Sequence, residues 1–254
     1  MNPVPVLMYH HVAADREVTP ADFARHLRYF RENGWRTPDL GEFADFLNGE
    51  RSLPGKSLLL TFDDGYADNW ICAAPLLKKY GFRAVVFVTT SRLTDNPPRK
   101  TLADGAVSPD TLKNERGPDG FLSWRELKIM TESGVFEAGS HTETHNNFDK
   151  RAKWADMEGE LRRSAAVIDD KTGARPLGVG WPWGYFEPRF IEYAKKAGYK
   201  LAFTTRPGAN ISGKDTFHIR RFKIKTGNLN WLKRRLWLYG GQPALAELYG
   251  SLHG

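Results

Sequence analysis

The stretch LLLTFDDGYADNW, residues 58–70, runs an apolar strand-like segment straight into two adjacent aspartates and a glycine. Strand side chains alternate between faces, so Asp63 and Asp64 cannot point the same way while the strand persists. At the C-terminal end of the strand, with Gly65 free to turn sharply, both carboxylates can lean into one pocket. Neighbouring carboxylates repel each other, and a fold tolerates the pair most easily when a metal or a proton neutralises one of them. The plainer alternative makes one aspartate the N-cap of a helix starting near Ala67.

Around this stretch, short apolar strands alternate with helical patterns. Strand-like segments fall at 5–9, 57–62, 84–89, 136–139, 177–181, 201–205 and 218–224. Helical patterns fall at 20–33, 40–47, 67–80, 123–133, 152–171 and 187–197, and a further segment, 228–239, follows the last strand. Gly34, Gly81, Gly134, Gly173 and Gly198 each stand just past a helical run, where a left-handed C-cap belongs. Such alternation implies parallel strands joined by crossover helices, and about seven units imply a barrel or a wide open sheet. In α/β barrels catalytic groups gather at the C-terminal strand ends. Residues 91–120 are rich in Pro, Gly and charge without periodicity and read as one loop insertion over a barrel end.

A second constellation is EAGSHTETHNNF, residues 137–148, after another strand-like run. His141 and His145 at i and i+4 in a turn or short helix share a face, a spacing used for divalent metals. Two histidines and one carboxylate leave coordination positions open for water and substrate, as in catalytic metal sites. Asn146 and Asn147 read as loop-capping residues.

With 254 residues, 41% hydrophobic and 26% charged, the chain reads as an ordinary globular protein. It has no apolar run of the length that spans a membrane. The start, MNPVPVLMYHHV, lacks a basic n-region and is broken by Pro3, Pro5 and His10, unlike a secretory signal, so the expected location is the cytoplasm. Cys72, the single cysteine, excludes an intramolecular disulfide and reads as a buried thiol. The net charge of +7 suits an anionic partner, but no nucleic-acid-binding motif accompanies it. In the segment 228–254, Leu229, Leu232, Leu236 and Tyr239 lie at helical spacing opposite Lys233, Arg234 and Arg235. It reads as a final basic amphipathic helix and tail, packed on the barrel or docked on anionic lipid at the inner face of the membrane. His26, between Arg25 and Arg28, reads as a surface residue, as does His253.

TFDDG at 61–65 together with SHTETH at 140–145 resembles the polysaccharide deacetylases, carbohydrate esterase family 4, whose unit is the NodB-like domain. The resemblance extends from VPVLMYHHV to HIRRFKI, and VPVLMYHHV, WPWG and FTTRPG are similar to the poly-N-acetylglucosamine deacetylase subgroup. It implies an α/β fold, a distorted (β/α)7 TIM-like barrel forming a single domain over 1–254. It implies a metal-dependent hydrolase that removes N-acetyl groups from amino sugars in a polysaccharide, oligosaccharide or lipid-linked glycan and releases acetate. Carried onto this chain, Asp63 is the catalytic base, and Asp64, His141 and His145 are ligands of a divalent ion, zinc or else cobalt or nickel. The Tyr66 backbone N–H holds the oxyanion. His10 is the general acid, with His218 the fallback, and His11 is its neighbour facing away. The family's Arg-x-Pro-aromatic motif here reads Gly180-Trp181-Pro182-Trp183, so the arginine that orients the base is missing. Pro182 and Trp183 remain as substrate-side residues, and Trp181, Trp183 and Tyr185 are candidates for a sugar-binding aromatic wall. The competing functions are an O-acetyl glycan esterase on the same site, and a catalytically inactive glycan-binding relative that has lost its chemistry with the arginine.

Overall fold

The structure is a computed structural model that describes residues 2–105, 120–146 and 156–253. Much of the 91–120 insertion, the beginning of the helical pattern at 152–171 and Asn147 lie outside the described residues. In chain order the elements are β1 (Val6–Tyr9), α1 (Pro20–Glu32), β2 (Trp35–Arg36), α2 (Leu40–Asn48), β3 (Lys56–Ser57), β4 (Leu59–Phe62), α3 (Ala74–Tyr80), β5 (Ala84–Val88), α4 (Trp124–Glu132), β6 (Phe136–Ser140), α5 (Met157–Thr172), β7 (Gly178–Gly180), α6 (Pro188–Lys196), β8 (Leu201–Phe203), β9 (Phe222–Lys223), α7 (Leu229–Gly241) and α8 (Pro243–His253).

Seven strands form one sheet in the order β8-β7-β6-β5-β4-β1-β9, every pairing parallel. The curled sheet is the distorted TIM-like barrel that the sequence implies. Its edges are joined by one stretch of chain that changes partner. Thr204 N–H donates to Ile219 O at 2.8 Å and Ile219 N–H to Ala202 O at 3.0 Å, and then Ile224 N–H donates to Met8 O at 2.9 Å. Residues 218–224 were expected as one strand; only Phe222–Lys223 is regular, because the segment divides its hydrogen bonds between β8 and β1.

Strand alternation divides the apolar residues into two sets. Val6, Leu59, Val85, Phe87, Leu201 and Phe203 face inward, where Leu40, Phe43, Phe46 and Leu47 of α2 join them and plug the N-terminal end of the barrel. Leu7, Leu60, Phe62, Val86 and Val88 face outward into the main core with α1, α3, α4 and α7. Val179 and Ala202 pack instead under α5 and α6.

Two local departures have clear causes. The pattern at 67–80 is helical throughout but not α-helical throughout: a π turn, Asn69–Ala73, precedes α3, and Ala74 N–H donates to Asn69 O. Pro75 has no N–H to continue an i−4 ladder, so the helix restarts there. The segment 57–62 is interrupted because Leu58 N–H pairs with Arg36 of the small β2–β3 sheet, whereas Leu59 N–H pairs with Pro5. Helix α8 has no counterpart in the sequence reading. All five expected C-cap glycines take positive φ. Cys72 is buried, and burial pushes its thiol up to about 12. His26 corrects the expectation of a surface residue: it is wholly buried, with Nδ1 bonded to the Tyr9 hydroxyl and Nε2 to Gly227 O. Among the described residues no helix is long and apolar enough to cross a membrane.

Candidate metal centre

The turn after β4 settles how two adjacent aspartates share a pocket. Asp63 N–H still donates to Tyr9 O at 3.0 Å, so Asp63 keeps strand geometry and points into the barrel. Asp64 (φ 75°) and Gly65 (φ 76°) are then both left-handed and swing the chain round. Aspartate tolerates this region better than most side chains. At Gly65 a Cβ would lie 3.0 Å from Val88 Cγ1, so glycine is also demanded by contact. The carboxylates therefore leave the backbone in different directions and reach the same cleft. Neither stands where an N-cap belongs: Ala67 and Asp68 are already helical, so the residue before the first helical turn is Tyr66.

His141 and His145 come from the loop after β6, an irregular turn with Thr142 (φ 65°) and His145 (φ 59°) left-handed. His141 N–H donates to Val88 O at 2.8 Å, and its Nδ1 lies 2.7 Å from Gly180 O. A carbonyl can only accept, so Nδ1 carries the proton and Nε2 presents a lone pair. Glu160 of α5 holds the loop from behind: it accepts from Glu143 N–H, Thr144 N–H and the Thr144 hydroxyl at 2.7–2.9 Å.

One ligand atom from each of Asp64, His141 and His145 lies within 4.8 Å of the others. His145 Nε2 is 3.2 Å and His141 Nε2 3.6 Å from Asp64 Oδ1. Zinc bonds of about 2.0–2.2 Å would set such ligands about 3.4 Å apart in a tetrahedron. Asp64 Oδ1 is buried without a hydrogen-bond partner, a costly state for a carboxylate oxygen unless a cation faces it. Burial opposes ionisation of Asp64, but His145 and His141 outweigh it and hold the carboxyl below the usual range. Burial pushes the His141 imidazole down to about 4, which leaves it neutral and able to ligate. Donor set, spacing and charge all fit a divalent ion with an open coordination position.

The missing arginine has a replacement that the sequence reading did not identify. Arg221, entirely buried, donates from Nη1 to Asp63 Oδ1 at 2.6 Å and from Nη2 to Asp63 Oδ2 at 2.9 Å. Its Nε donates to Thr204 O at 2.8 Å, and its guanidinium lies over the Phe87 ring at 5.4 Å. Burial opposes ionisation of Asp63, but Arg221, His141 and His10 outweigh it and keep the carboxyl below its ordinary range. Gly180 has little room for a side chain, since a Cβ there would be 3.2 Å from His141 Nδ1 and from Phe87. The available signal was HIRRFKI, where strand alternation must send one of two adjacent arginines inward.

His10, at the end of β1, lines the cleft with Nδ1 buried and unpartnered. Burial lowers its imidazole, while Asp63 and Asp64 pull it back up. His11 turns to Asp68 at 2.6 Å and stacks on Tyr66 at 3.8 Å. The structure does not bring His218 to the cleft: it is exposed, bonded to Asp215 and set edge-on to Phe186. The Tyr66 ring lies between His11 and Phe121, and burial and then Asp64 push its hydroxyl pKa up. Pro182 is buried. Of the three candidate wall aromatics, Trp183 stands at the rim, 66% exposed with φ 60°, its ring edge-on to His145 at 5.3 Å. Trp181 is buried beneath it and stacks on Phe186, and Tyr185 packs against Phe190. Asn146 is exposed.

The cleft has a volume of about 690 Å³ and runs from this centre past Trp183 to α7. A second cavity, about 900 Å³, lies by the N-terminal ends of β5 and β6, lined in part by Arg36, Asp39, Glu42 and Arg83, far from the aspartates and histidines.

The family model for polysaccharide deacetylases matches residues 50–202. The chain is 25% identical over 226 residues to the putative polysaccharide deacetylase YxkH of Bacillus subtilis, covering 88% of this chain and 72% of that protein. It is 26% identical over 215 residues to the poly-beta-1,6-N-acetyl-D-glucosamine N-deacetylase of Escherichia coli, covering 74% of this chain but only 31% of that protein. The structure of IcaB from Ammonifex degensii superposes with a TM-score of 0.75 at 26% identity, covering 93% of this chain and 97% of that one. The Streptococcus pyogenes deacetylase PplD, at 23% identity and a TM-score of 0.73, shares the fold. The chain belongs to the polysaccharide deacetylase family.

Proposed function

We propose that this member of the polysaccharide deacetylase family is a metal-dependent carbohydrate N-deacetylase, hydrolysing the acetamide of an N-acetylated amino sugar to acetate and a free amine. The observation that carries this reading is the convergence of Asp64, His141 and His145 beside the separately held carboxylate of Asp63. Asp64, His141 and His145 would hold a divalent ion, with zinc suited to their two nitrogens and one oxygen. When bound, it supplies Lewis-acid polarisation of the acetamide carbonyl and lowers the pKa of water.

The chain's own groups do the rest. Asp63 accepts the proton of the attacking water. Both its oxygens face Arg221, and each keeps a further lone pair with which to do so. Arg221 fixes the direction of that carboxylate and keeps it ionised. His10 gives a proton to the leaving nitrogen, since it lines the cleft beside Asp63 and Asp64, whose charges favour its protonated form. The Tyr66 backbone N–H is the proposed oxyanion donor, and Trp183 with Pro182 the sugar-side wall. Peripheral contact with an anionic bilayer is part of the same reading, because Trp237 and Leu248 are each 60% exposed on α7 and α8, and Trp237 follows Lys233 and Arg234 by about one helical turn.

The test is acetate release from N-acetylglucosamine oligomers by metal-stripped protein, with zinc, cobalt or nickel restored. Metal-dependent release with a matching yield of free amine is expected, and Asp63→Asn should lower kcat by about 10²–10⁴-fold. No release from these oligomers, with acetate released from an O-acetylated glycan such as acetylxylan, would instead make the protein an O-acetyl esterase.

A further inference from the structure

One wall of the cleft is built from regularly spaced cations. Arg221, Lys223 and Lys225 alternate with Phe222 and Ile224, which are buried in the core. Residues at i, i+2 and i+4 of an extended segment share a face, and all three cations line the cleft. The innermost, Arg221, is neutralised by Asp63. Lys223 is close enough to His10 to act on its charge. Lys225 lies furthest along the segment.

Helix α7 supplies an adjoining side, with Trp231 and Tyr239 packed on Phe222. Trp231, Arg235 and Tyr239, four residues apart and so on one helix face, also line the cleft. The Arg235 guanidinium lies over Trp231 at 5.3 Å and over Tyr249 at 4.8 Å, which fixes its direction without consuming its charge. Among the described residues no ion pair joins Lys223, Lys225 or Arg235 to a carboxylate. Among the described residues the only carboxylates lining the cleft are Asp63 and Asp64, both engaged at the centre. Among the described residues this arm therefore presents three cations without a carboxylate partner beside aromatic faces, an arrangement that attracts an anion.

From this arrangement we infer that the substrate carries an anionic group, a carboxylate or a phosphate, next to its N-acetylated sugar, and that Lys223, Lys225 and Arg235 receive it. The inference rests on the deacetylase reading and narrows its substrate class. It also separates this chain from an enzyme suited to partly deacetylated neutral glycans. Each deacetylation leaves an amine that takes up a proton, and the same three cations repel such a chain as it accumulates ammonium groups.

The test compares the zinc-loaded full chain on three probes: chitotetraose, which is neutral; a hyaluronan tetrasaccharide, which carries carboxylates; and UDP-N-acetylglucosamine, which carries phosphates. Binding of each probe to the same protein is followed by calorimetry. The variant is Lys225→Gln/Arg235→Gln, which spares Lys223 because that residue also bears on His10. At low salt, kcat/KM for one anionic probe should exceed that for chitotetraose by about tenfold or more, the scale of one or two charge-assisted hydrogen bonds. The ratio should fall toward one in the variant and in high salt. Which anionic probe is favoured distinguishes carboxylate from phosphate. Equal kcat/KM on all three probes, or a preference unchanged in the variant, overturns the inference while the deacetylase reading stands. No acetate from any probe overturns the deacetylase reading, and calorimetry then decides the arm alone. Anion binding lost in the variant sustains it; no anion binding to the unsubstituted chain refutes it.

Discussion

Arg221 is fully buried, and its anionic partner among the described residues is Asp63. Removing one member of a buried pair leaves an uncompensated charge, so Arg221→Ala should cost about 3–5 kcal/mol in urea unfolding. It should also remove the largest of the charges that oppose burial at Asp63 and raise its pKa. An Asp63 held low by Arg221 stays ionised into acid, so in wild type the acid limb of kcat/KM lies at low pH, and in Arg221→Ala it moves to higher pH. Arg221→Lys restores the charge but not the two-point contact, and should recover stability more than rate. His26 gives a second pH effect, unrelated to chemistry. Its imidazole is lowered by burial from 6.5 to about 4. The unfolded chain therefore binds this proton first as the pH falls, and stability present above pH 6.5 is lost progressively toward about pH 4. Between pH 7 and 4.5, His26→Gln should lose about 2–3 kcal/mol less stability than wild type. His141 titrates in the same window, but comparing the two proteins cancels its share. A slope unchanged by the substitution would remove His26 as the cause.

Elements were legible in the sequence where burial gives them a pattern. The strands of a parallel sheet are covered on both faces and read as short apolar runs; β1, β4, β5, β6 and β8 appeared this way. Helices α1 and α4 were legible through their helical pattern and through Gly34 and Gly134 just past them, and the structure adds N-caps at Thr19 and Ser123, whose side chains accept from N3 backbone amides. Strand β9 was less legible because its hydrogen bonds are split between two neighbours, a property of the closed ring and not of local composition. For the same reason the arginine beside Asp63 went unassigned: it enters the site from the far end of the chain, 158 residues away. Another element-scale feature absent from the motifs is the grip of α5 on the histidine loop. Glu160 accepts three hydrogen bonds from Glu143 and Thr144, between the two histidines. Glu160→Gln, which can keep only part of that pattern, should weaken zinc affinity by about 10–100-fold, the usual scale for partners that orient metal ligands. Chelator competition measures this directly. An affinity equal to wild type would mean that the loop holds its shape without α5.

At the scale of the whole molecule, the C-terminal helices link the site to the outer surface. Leu232, Leu236 and Tyr239 of α7 complete the main core, while Trp231 and Arg235 face the cleft. The remaining exposed side carries Lys233, Arg234 and Trp237, and α8 adds Leu245 and Leu248, 49% and 60% exposed. Large apolar side chains among cations are the composition of a surface that rests on anionic lipid, since both apolar burial and charge favour the headgroup boundary. A net charge of +7 pulls in the same direction and strengthens the effect at low salt. Docked through this surface, the molecule would hold the α7 side of the cleft close to the lipid phosphates, where a lipid-linked anionic saccharide would present its sugar. Cosedimentation with phosphatidylglycerol-containing vesicles should exceed that with phosphatidylcholine alone. Trp237→Glu/Leu248→Glu should lower it with acetate release from soluble oligomers unchanged, because neither side chain lines the cleft. Equal recovery on both vesicle types would leave these residues as ordinary exposed apolar surface and confine the role of α7 to the core and the substrate arm.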